Sequence, residues 1–377
     1  MTIVADRPSI DALEVTGGVD THADAHVAAV IDPLGRQLGD RSFPATPVGY
    51  RDLVGWLVSF GTLTMVGVEG TGAYGAGLAR ALTAAGLRVV EVDRPDRKTR
   101  RDQGKSDPID AYAAARAAAG GRATGIPKSR TGDVESVRAL RVARTGAIRA
   151  RAKSLTQLKS LIITAPESLR SQLAGLDGNQ LIATCGRLRP TRHRPTAQGP
   201  HAKRPPRPGR LVDPTAATKR ALASIATRIG HLDEELATLD DDLHSLLTPL
   251  APTLLGLMGV GLDVAGQLLA TAGDNPQRLR HEAAFAHLCG AAPIPASSGK
   301  TTRHRLNRGG DRAANAALYR IALCRLRWDP TTRAYLERRT TQGRSKPEII
   351  RCLKRYIARE VFTAIITDLC QQPLDNP

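Results

Sequence analysis

Four carboxylates toward the N-terminus have the types and placement of a metal-binding set. Asp20 ends the run LEVTGGVD, Glu69 ends LTMVGVE, and Asp107 and Asp110 stand three residues apart in SDPID. Acids that converge repel one another unless a cation neutralises them, and hard oxygen ligands select Mg2+ or Mn2+. Two such ions can activate a nucleophile and stabilise the leaving oxygen of a phosphodiester. Taken singly, two of the four have simpler explanations. Asp107 before Pro108 suits a helix N-cap with proline at the first helical position, and Asp20 suits a turn.

The elements that must position these acids follow from local pattern. Residues 13–20, 26–31 and 37–43 read as strands, with DPLG at 32–35 as the turn between the last two. Thr46 to Phe60 has helical spacing, with Leu53, Trp56 and Leu57 on one face. LTMVGVE at 63–69 is a buried strand, 72–85 a small-residue helix and 87–93 another strand. A basic loop, RPDRKTRRDQGK, leads to a helix from about Pro108 to Ala119. Three meandering strands followed by alternating helices and strands are the order of the ribonuclease H fold, an α/β layer architecture with ligands at strand ends. We place this domain at residues 10–125. Asp20 and Glu69 would then end core strands, and Asp107 and Asp110 would share one face of a helix start.

The charge balance fits a polyanionic partner. The 377 residues carry 54 Lys and Arg against 36 Asp and Glu, a formal net charge of +18, which favours nucleic acid or an anionic membrane surface. No apolar run reaches the roughly 18 residues of a spanning helix. The start MTIVADRPSIDALE lacks the basic and apolar pattern of a secretory signal. Nucleic acid is thus the expected partner, in the cytoplasm and associated with the nucleoid, with no membrane partner. The five cysteines are scattered without a CxxC pair, so neither a zinc site nor a disulfide framework is indicated; they read as small buried apolar residues.

Beyond the first domain the chain reads as helical. Val134 to Thr164 carries no acid after Arg138, and Arg141 and Arg144 on it are candidate phosphate contacts. From Leu222 to Leu250 the apolar residues alternate steps of three and four, a heptad seam that suits a coiled coil between copies or a long helix packed within its own chain. This helical region spans 130–250. Inside it, residues 187–210 hold six prolines, eight Lys or Arg and no acid, the composition of a disordered basic linker. A mostly α C-terminal domain follows at 251–377. Its LLGLMGVGLDVAGQLLA resembles a helix–hairpin–helix in which Gly259 and Gly261 let backbone N–H groups approach phosphate, though a tight helical turn explains the glycines as well. The remaining phosphate-contact candidates are Arg94, Arg97, Lys98, Arg100, Arg101 and Lys105 in the first basic loop, and Lys300, Arg303, Arg305 and Arg308 after the loop APIPASSGK. Ser297 and Ser298 in that loop are ordinary turn residues on physical grounds alone.

Longer motifs add a resemblance. GVDTHADAH, VGVEGTGAYG and VDRPDRKTRRDQGKSDPIDAYAAARA resemble the DEDD transposases of the insertion-sequence-110 family. LMGVGLDVAGQLLATAGD and FAHLCGAAPIPASSGKTTRHRLNRGGDRAANAAL are similar to the same family's C-terminal domain. The resemblance implies a RuvC-like branch of the ribonuclease H fold, Mg2+ on the four acids, and a catalytic serine aligned with Ser298, with Ser297 the weaker match. It also implies DNA strand cleavage through a phosphoserine link, guidance by a bridge RNA, and dimers or tetramers with composite sites. The stretch at about 189–210 departs from the family pattern as an insertion before Asp213-Pro214-Thr215. Rival readings are a Holliday-junction-resolvase-like nuclease that uses the four acids and water, a non-catalytic nucleic-acid scaffold, and a sugar-kinase-like ATPase. The basic helices and the lack of a second phosphate loop count against the last.

Overall fold

The computed structural model describes residues 13–92, 106–191, 213–300 and 304–371. The basic loop 94–105, the stretch 192–210 and Arg303 lie outside them. The chain divides into two compact units. One comprises Met1–Glu135, Thr253–Val260 and Gln267–Pro377; the other comprises Ser136–Pro252 and Gly261–Gly266. The two ends of the sequence, expected as separate domains, therefore share one unit.

The first unit opens with strands β1 (Glu14–Thr21), β2 (Ala25–Ile31) and β3 (Gln37–Pro44), helix α1 (Pro47–Val58), β4 (Thr62–Glu69), α2 (Ala76–Ala84), β5 (Val89–Val92) and α3 (Asp107–Ala119). The sheet order is β3-β2-β1-β4-β5. The β1, β2 and β3 pairings are antiparallel, whereas β4 lies parallel to β1 and β5 parallel to β4. The β2–β3 turn forms as expected. The Asp32 carboxylate accepts from Leu34 and Arg36 N–H, and Gly35 takes the left-handed backbone at φ 79°. The second helix starts later than its small-residue run suggests. Residues 70–75 form a turn in which the Gly70 carbonyl accepts from both Ala73 and Gly75 N–H, and Gly70 is left-handed at φ 73°.

One face of the sheet carries the larger core. Val15, Val19, Val66 and Val68 pack there with Leu53 and Leu57 of α1 and Leu78 and Leu82 of α2. On the other face Ala29 and Ile31 meet Ala111, Tyr112 and Ala115 of α3. The same unit contains the C-terminal helices α10 (Glu282–Leu288), α11 (Arg312–Trp328), α12 (Pro330–Thr341) and α13 (Lys346–Gln371), and the short hairpin strands β6 (Ile294–Pro295) and β7 (His304–Arg305). Helix α9 (Leu262–Ala272) starts in the second unit and ends in the first; the four-residue α8 (Pro252–Leu255) precedes it.

The second unit is helical: most of α4 (Asp133–Ile163), then α5 (Glu167–Leu173), α6 (Gly178–Arg187) and α7 (Pro214–Leu250). Asp213 caps α7 by accepting from Thr215 and Ala216 N–H. Ion pairs Arg144–Asp240 and Arg151–Asp233 join α4 to α7. Seven residues forward on α4 correspond to seven backward on α7, so the two helices run antiparallel. The seam on α7 is covered within the chain toward its ends, where Leu222, Ile229, Leu243 and Leu250 are buried. Leu232, Leu236 and Leu239 in its middle are half-buried. Leu188, inside the stretch expected as a linker from residue 187, is buried among these helices. Cys185 and Cys289 are buried as expected, but Cys370 is exposed.

Gly230 sits inside α7 with open space where a Cβ would stand. Gly230→Ala is therefore expected to stabilise the second unit by roughly 0.5–1 kcal/mol through reduced chain entropy. Denaturant unfolding checks this, and a loss of stability would contradict it.

Candidate metal centre

Strand alternation decides which side chains meet. Val19 and Val68 face α1 and α2, so Gly18, Asp20, Gly67 and Glu69 face α3. The register pairs Val19 with Val68, which sets Asp20 and Glu69 side by side at the ends of parallel strands. The Thr21 hydroxyl donates to the Glu69 carbonyl at 2.8 Å and ties the two ends together.

Helix α3 approaches that face at backbone contact. A Cβ on Gly18 would stand 2.2 Å from the Ala111 carbonyl oxygen and 2.2 Å from the Ala115 nitrogen; one on Gly67 would stand 2.6 Å from the Ala114 oxygen. Glycine in the strands and alanine in the helix are thus a matched set. Their close fit carries the first turn of α3, with Asp107 and Asp110, to the strand ends.

Asp20, Glu69 and Asp110 are buried at 7%, 8% and 6% exposure, where ionised carboxylates are rare unless partnered. Asp107 is half-buried. It is the first residue of α3, and the cap position belongs to Ser106. The N-cap explanation of Asp107 is therefore replaced: its carboxylate lies 3.3 Å from His22 Nε2, which is also 3.1 Å from Asp20 Oδ2. Asp20, His22 and Asp107 offer ligand atoms all within 4.8 Å of one another. Burial pushes the Asp20 carboxyl above its usual range, His22 pulls it down, and Asp110 and Asp107 push it up again. Repelling acids beside an imidazole fit a small divalent cation. The mainly oxygen donors suit Mg2+ or Mn2+, and the nitrogen of His22 is tolerated by Mn2+.

His22 has no part in the sequence reading, although its signal was present in GVDTHADAH. A residue two beyond Asp20 at a strand end shares its face. His26, wholly buried and stacked on Tyr50 at 5.6 Å, has neither ring nitrogen hydrogen-bonded. Burial and then His22 hold its pKa low, so it is a neutral core residue.

Ser298 lies with Ser297 and Lys300 in the exposed residues 296–300 that follow β6, where Gly299 is left-handed at φ 56°. Among the described residues no hydrogen bond or ion pair joins Ser298 to the four acids. Arg305 and Arg308 are exposed nearby in sequence. Arg141 is engaged elsewhere: it is buried and bonds the Asp263 carbonyl at 2.5 Å and carboxylate at 2.6 Å. Arg144 likewise pairs with Asp240 and Asp263. Gly259 is left-handed at φ 87° and packs on α11, a Cβ there standing 3.2 Å from Cys324 Cβ. Gly261 is exposed with no atom near its Cβ position.

Two family profiles match this chain. A DEDD transposase profile of the IS110 type, described as "Transposase", covers residues 17–164. A second, "Transposase IS116/IS110/IS902 family", covers 251–337, and together they take in more than half of the 377 residues. The chain belongs to the IS110 family of transposases. It is similar to the "Insertion element IS110 uncharacterized 43.6 kDa protein" of Streptomyces coelicolor, 28% identical over 160 residues, which is 41% of this chain and 39% of that protein. It is also similar to the "Insertion element IS900 uncharacterized 42 kDa protein" of Mycobacterium paratuberculosis, 26% identical over 198 residues, 50% of this chain and 47% of that one. The matches thus span less than half the length of these curated relatives. The first profile match contains all four acids and His22, and the second contains Ser298. No helix among the described residues is long and apolar enough to cross a membrane.

Proposed function

We propose that this IS110-family chain is a DNA transposase that cuts and rejoins strands at the ends of an insertion element, with a divalent cation on Asp20, Glu69, Asp107 and Asp110 and with Ser298 as nucleophile. The observation that carries the reading is the group Asp20, His22 and Asp107, whose ligand atoms lie within 4.8 Å of one another, with Asp110 buried on the same helix turn and Glu69 buried at the end of the neighbouring strand. The sheet order supports a ribonuclease H-like, RuvC-type domain, in which such strand ends hold the reacting phosphate. Bound Mg2+ or Mn2+ would polarise the scissile phosphate and stabilise charge on the entering and leaving oxygens.

Ser298 Oγ attacks phosphorus, the bond to the 3′-oxygen breaks, and that oxygen leaves as a hydroxyl. The phosphoserine link stores the phosphoester until another strand's hydroxyl displaces the serine, so strand exchange needs no external energy source. Lys300, Arg305 and Arg308, exposed beside the serine loop, would grip the DNA backbone. Arg303 and the basic residues of 94–105 join them in this proposal from sequence alone. A bridge RNA would supply sequence choice by base pairing, leaving the protein to recognise backbone and shape. Self-association to a dimer or tetramer would bring carboxylates and serine together, and the half-buried Leu232, Leu236 and Leu239 suit a coiled-coil contact in such an assembly.

Ser298→Ala is expected to lower strand transfer by about ten-thousand-fold and to abolish covalent protein–DNA adducts while the fold persists. Denaturing gels of reactions with the element's ends, cognate RNA and Mg2+ check this. Normal cutting by the variant would favour a resolvase-type nuclease that uses water. A wild type that neither cuts nor recombines would favour a scaffold.

A further inference from the structure

The segment that follows Glu69 is braced by residues distant in sequence. Thr71, 4% exposed, donates its hydroxyl to Glu91 Oε1 at 2.5 Å. The other oxygen of Glu91 faces Arg278 Nη2 at 3.4 Å, and Arg278 Nη1 donates to the Ala272 carbonyl at 3.2 Å. One residue beyond Thr71, the Gly72 carbonyl accepts from Arg130 Nη2 at 2.9 Å. Arg130 reaches it from a left-handed backbone, φ 55°, which a non-glycine residue holds only when its surroundings impose it.

Asp274 imposes it. Its carboxylate accepts from the Arg130 N–H at 3.1 Å, the Thr131 N–H at 3.0 Å, the Gly132 N–H at 2.8 Å and the Ser129 hydroxyl at 2.5 Å. Asn275 adds a bond to the Pro127 carbonyl at 2.9 Å. Lys128 belongs to the same cluster: burial, then Arg278 and Arg130, lower its pKa to about 8, while Asp311 and Glu91 act the other way.

Both braces on residues 71–72 thus originate in TAGDNPQR, residues 271–278, far from the carboxylates in sequence but within the same compact unit. On its other side the Glu69 carbonyl is held by Thr21, next to Asp20. A turn fixed from both sides leaves Glu69 little freedom to swing away from Asp20.

We propose that Thr71, Glu91 and Arg278, with Arg130 set by Asp274, are positioning residues that hold Glu69 in the metal site and couple its geometry to the C-terminal part of the fold. The inference rests on the metal-site reading of the four acids. Outer partners of metal ligands typically contribute 10–100-fold in metal affinity, and a brace two residues from a ligand belongs at the lower end.

The test measures Mn2+ binding by the full chain, using paramagnetic resonance of free Mn2+, alongside amide hydrogen exchange of residues 70–75. Wild type, Asp20→Asn, Thr71→Val, Thr71→Ser and Arg278→Gln are compared. Thr71→Val and Arg278→Gln are expected to weaken Mn2+ binding by about tenfold and to speed exchange in 70–75, with unchanged melting of the remainder. Thr71→Ser, which keeps the hydroxyl, should bind like the wild type. If the wild type binds Mn2+, Asp20→Asn does not, and both brace variants bind normally, the positioning role is wrong and the metal site stands. If the wild type binds no Mn2+, the metal-site reading falls and this inference with it. Global unfolding of both brace variants would assign these residues to stability alone and overturn the proposal.

Discussion

Asp20→Asn is expected to give a chain that folds at least as well as the wild type yet has lost strand cleavage by about ten-thousand-fold, the scale of removing one member of a catalytic unit. Asparagine keeps the shape of the side chain and removes a buried charge repelled by Asp107 and Asp110. Because burial, opposed only in part by His22, raises the folded pKa of Asp20, its ionised form destabilises the metal-free fold. The penalty is absent below the ordinary carboxylate range and develops as pH rises through the raised pKa. Without metal, Asp20→Asn should therefore melt at or above the wild type at neutral pH, and the difference should shrink on acidification. Added Mn2+ should raise the melting temperature of the wild type but not of the variant, since only a ligand bound to the folded state stabilises it. Thermal melts with and without Mn2+, paired with a cleavage assay, read both effects. A variant that still cleaves would remove Asp20 from the chemistry.

Gly18→Ala should do the reverse and damage the site through the fold. Its Cβ would stand 2.2 Å from two backbone atoms of α3, which cannot rotate away as a side-chain tip can. Overpacking typically costs 1–3 kcal/mol, and a backbone clash of this depth belongs at about 3 kcal/mol or more. The helix must lift, taking Asp107 and Asp110 away from Asp20, so cleavage should fall together with stability. Denaturant unfolding of Gly18→Ala against wild type measures the first effect, and wild-type stability would contradict the contact. Gly230→Ala supplies the opposite case, a glycine with no neighbour to strike.

The strands and the acids at their ends were legible because both signals are local. Apolar runs ending in Asp20 and Glu69 place those residues at strand termini whatever the rest of the chain does. Strand alternation, with α3 on one face, then settled what the runs alone left open, namely which way the acids point. Other features depend on long-range packing. The turn at Gly70–Gly75 replaces the start of an expected helix because it is held by Glu91 and Arg130, partners 20 and 58 residues away. Asp107 looked like a cap because Pro108 follows it, whereas Ser106 takes that position and Asp107 meets His22. Arg141 looked like a phosphate contact because its helix is basic, and only the fold reveals Asp263 beside it, 122 residues on. Nothing local in TAGDNPQR announces that it pins the segment before α4.

In the proposed reaction the carboxylates and a divalent cation transfer a DNA strand to Ser298. The most direct measurement is mass spectrometry of the protein–DNA adduct formed on the element's own ends, with cognate RNA, in Mn2+ or in chelator. The expected product is a nucleotide-bearing peptide modified at Ser298, formed only with Mn2+ and absent from Asp20→Asn. Strand cleavage with no protein-linked DNA, or an adduct that forms equally well in chelator, would contradict it.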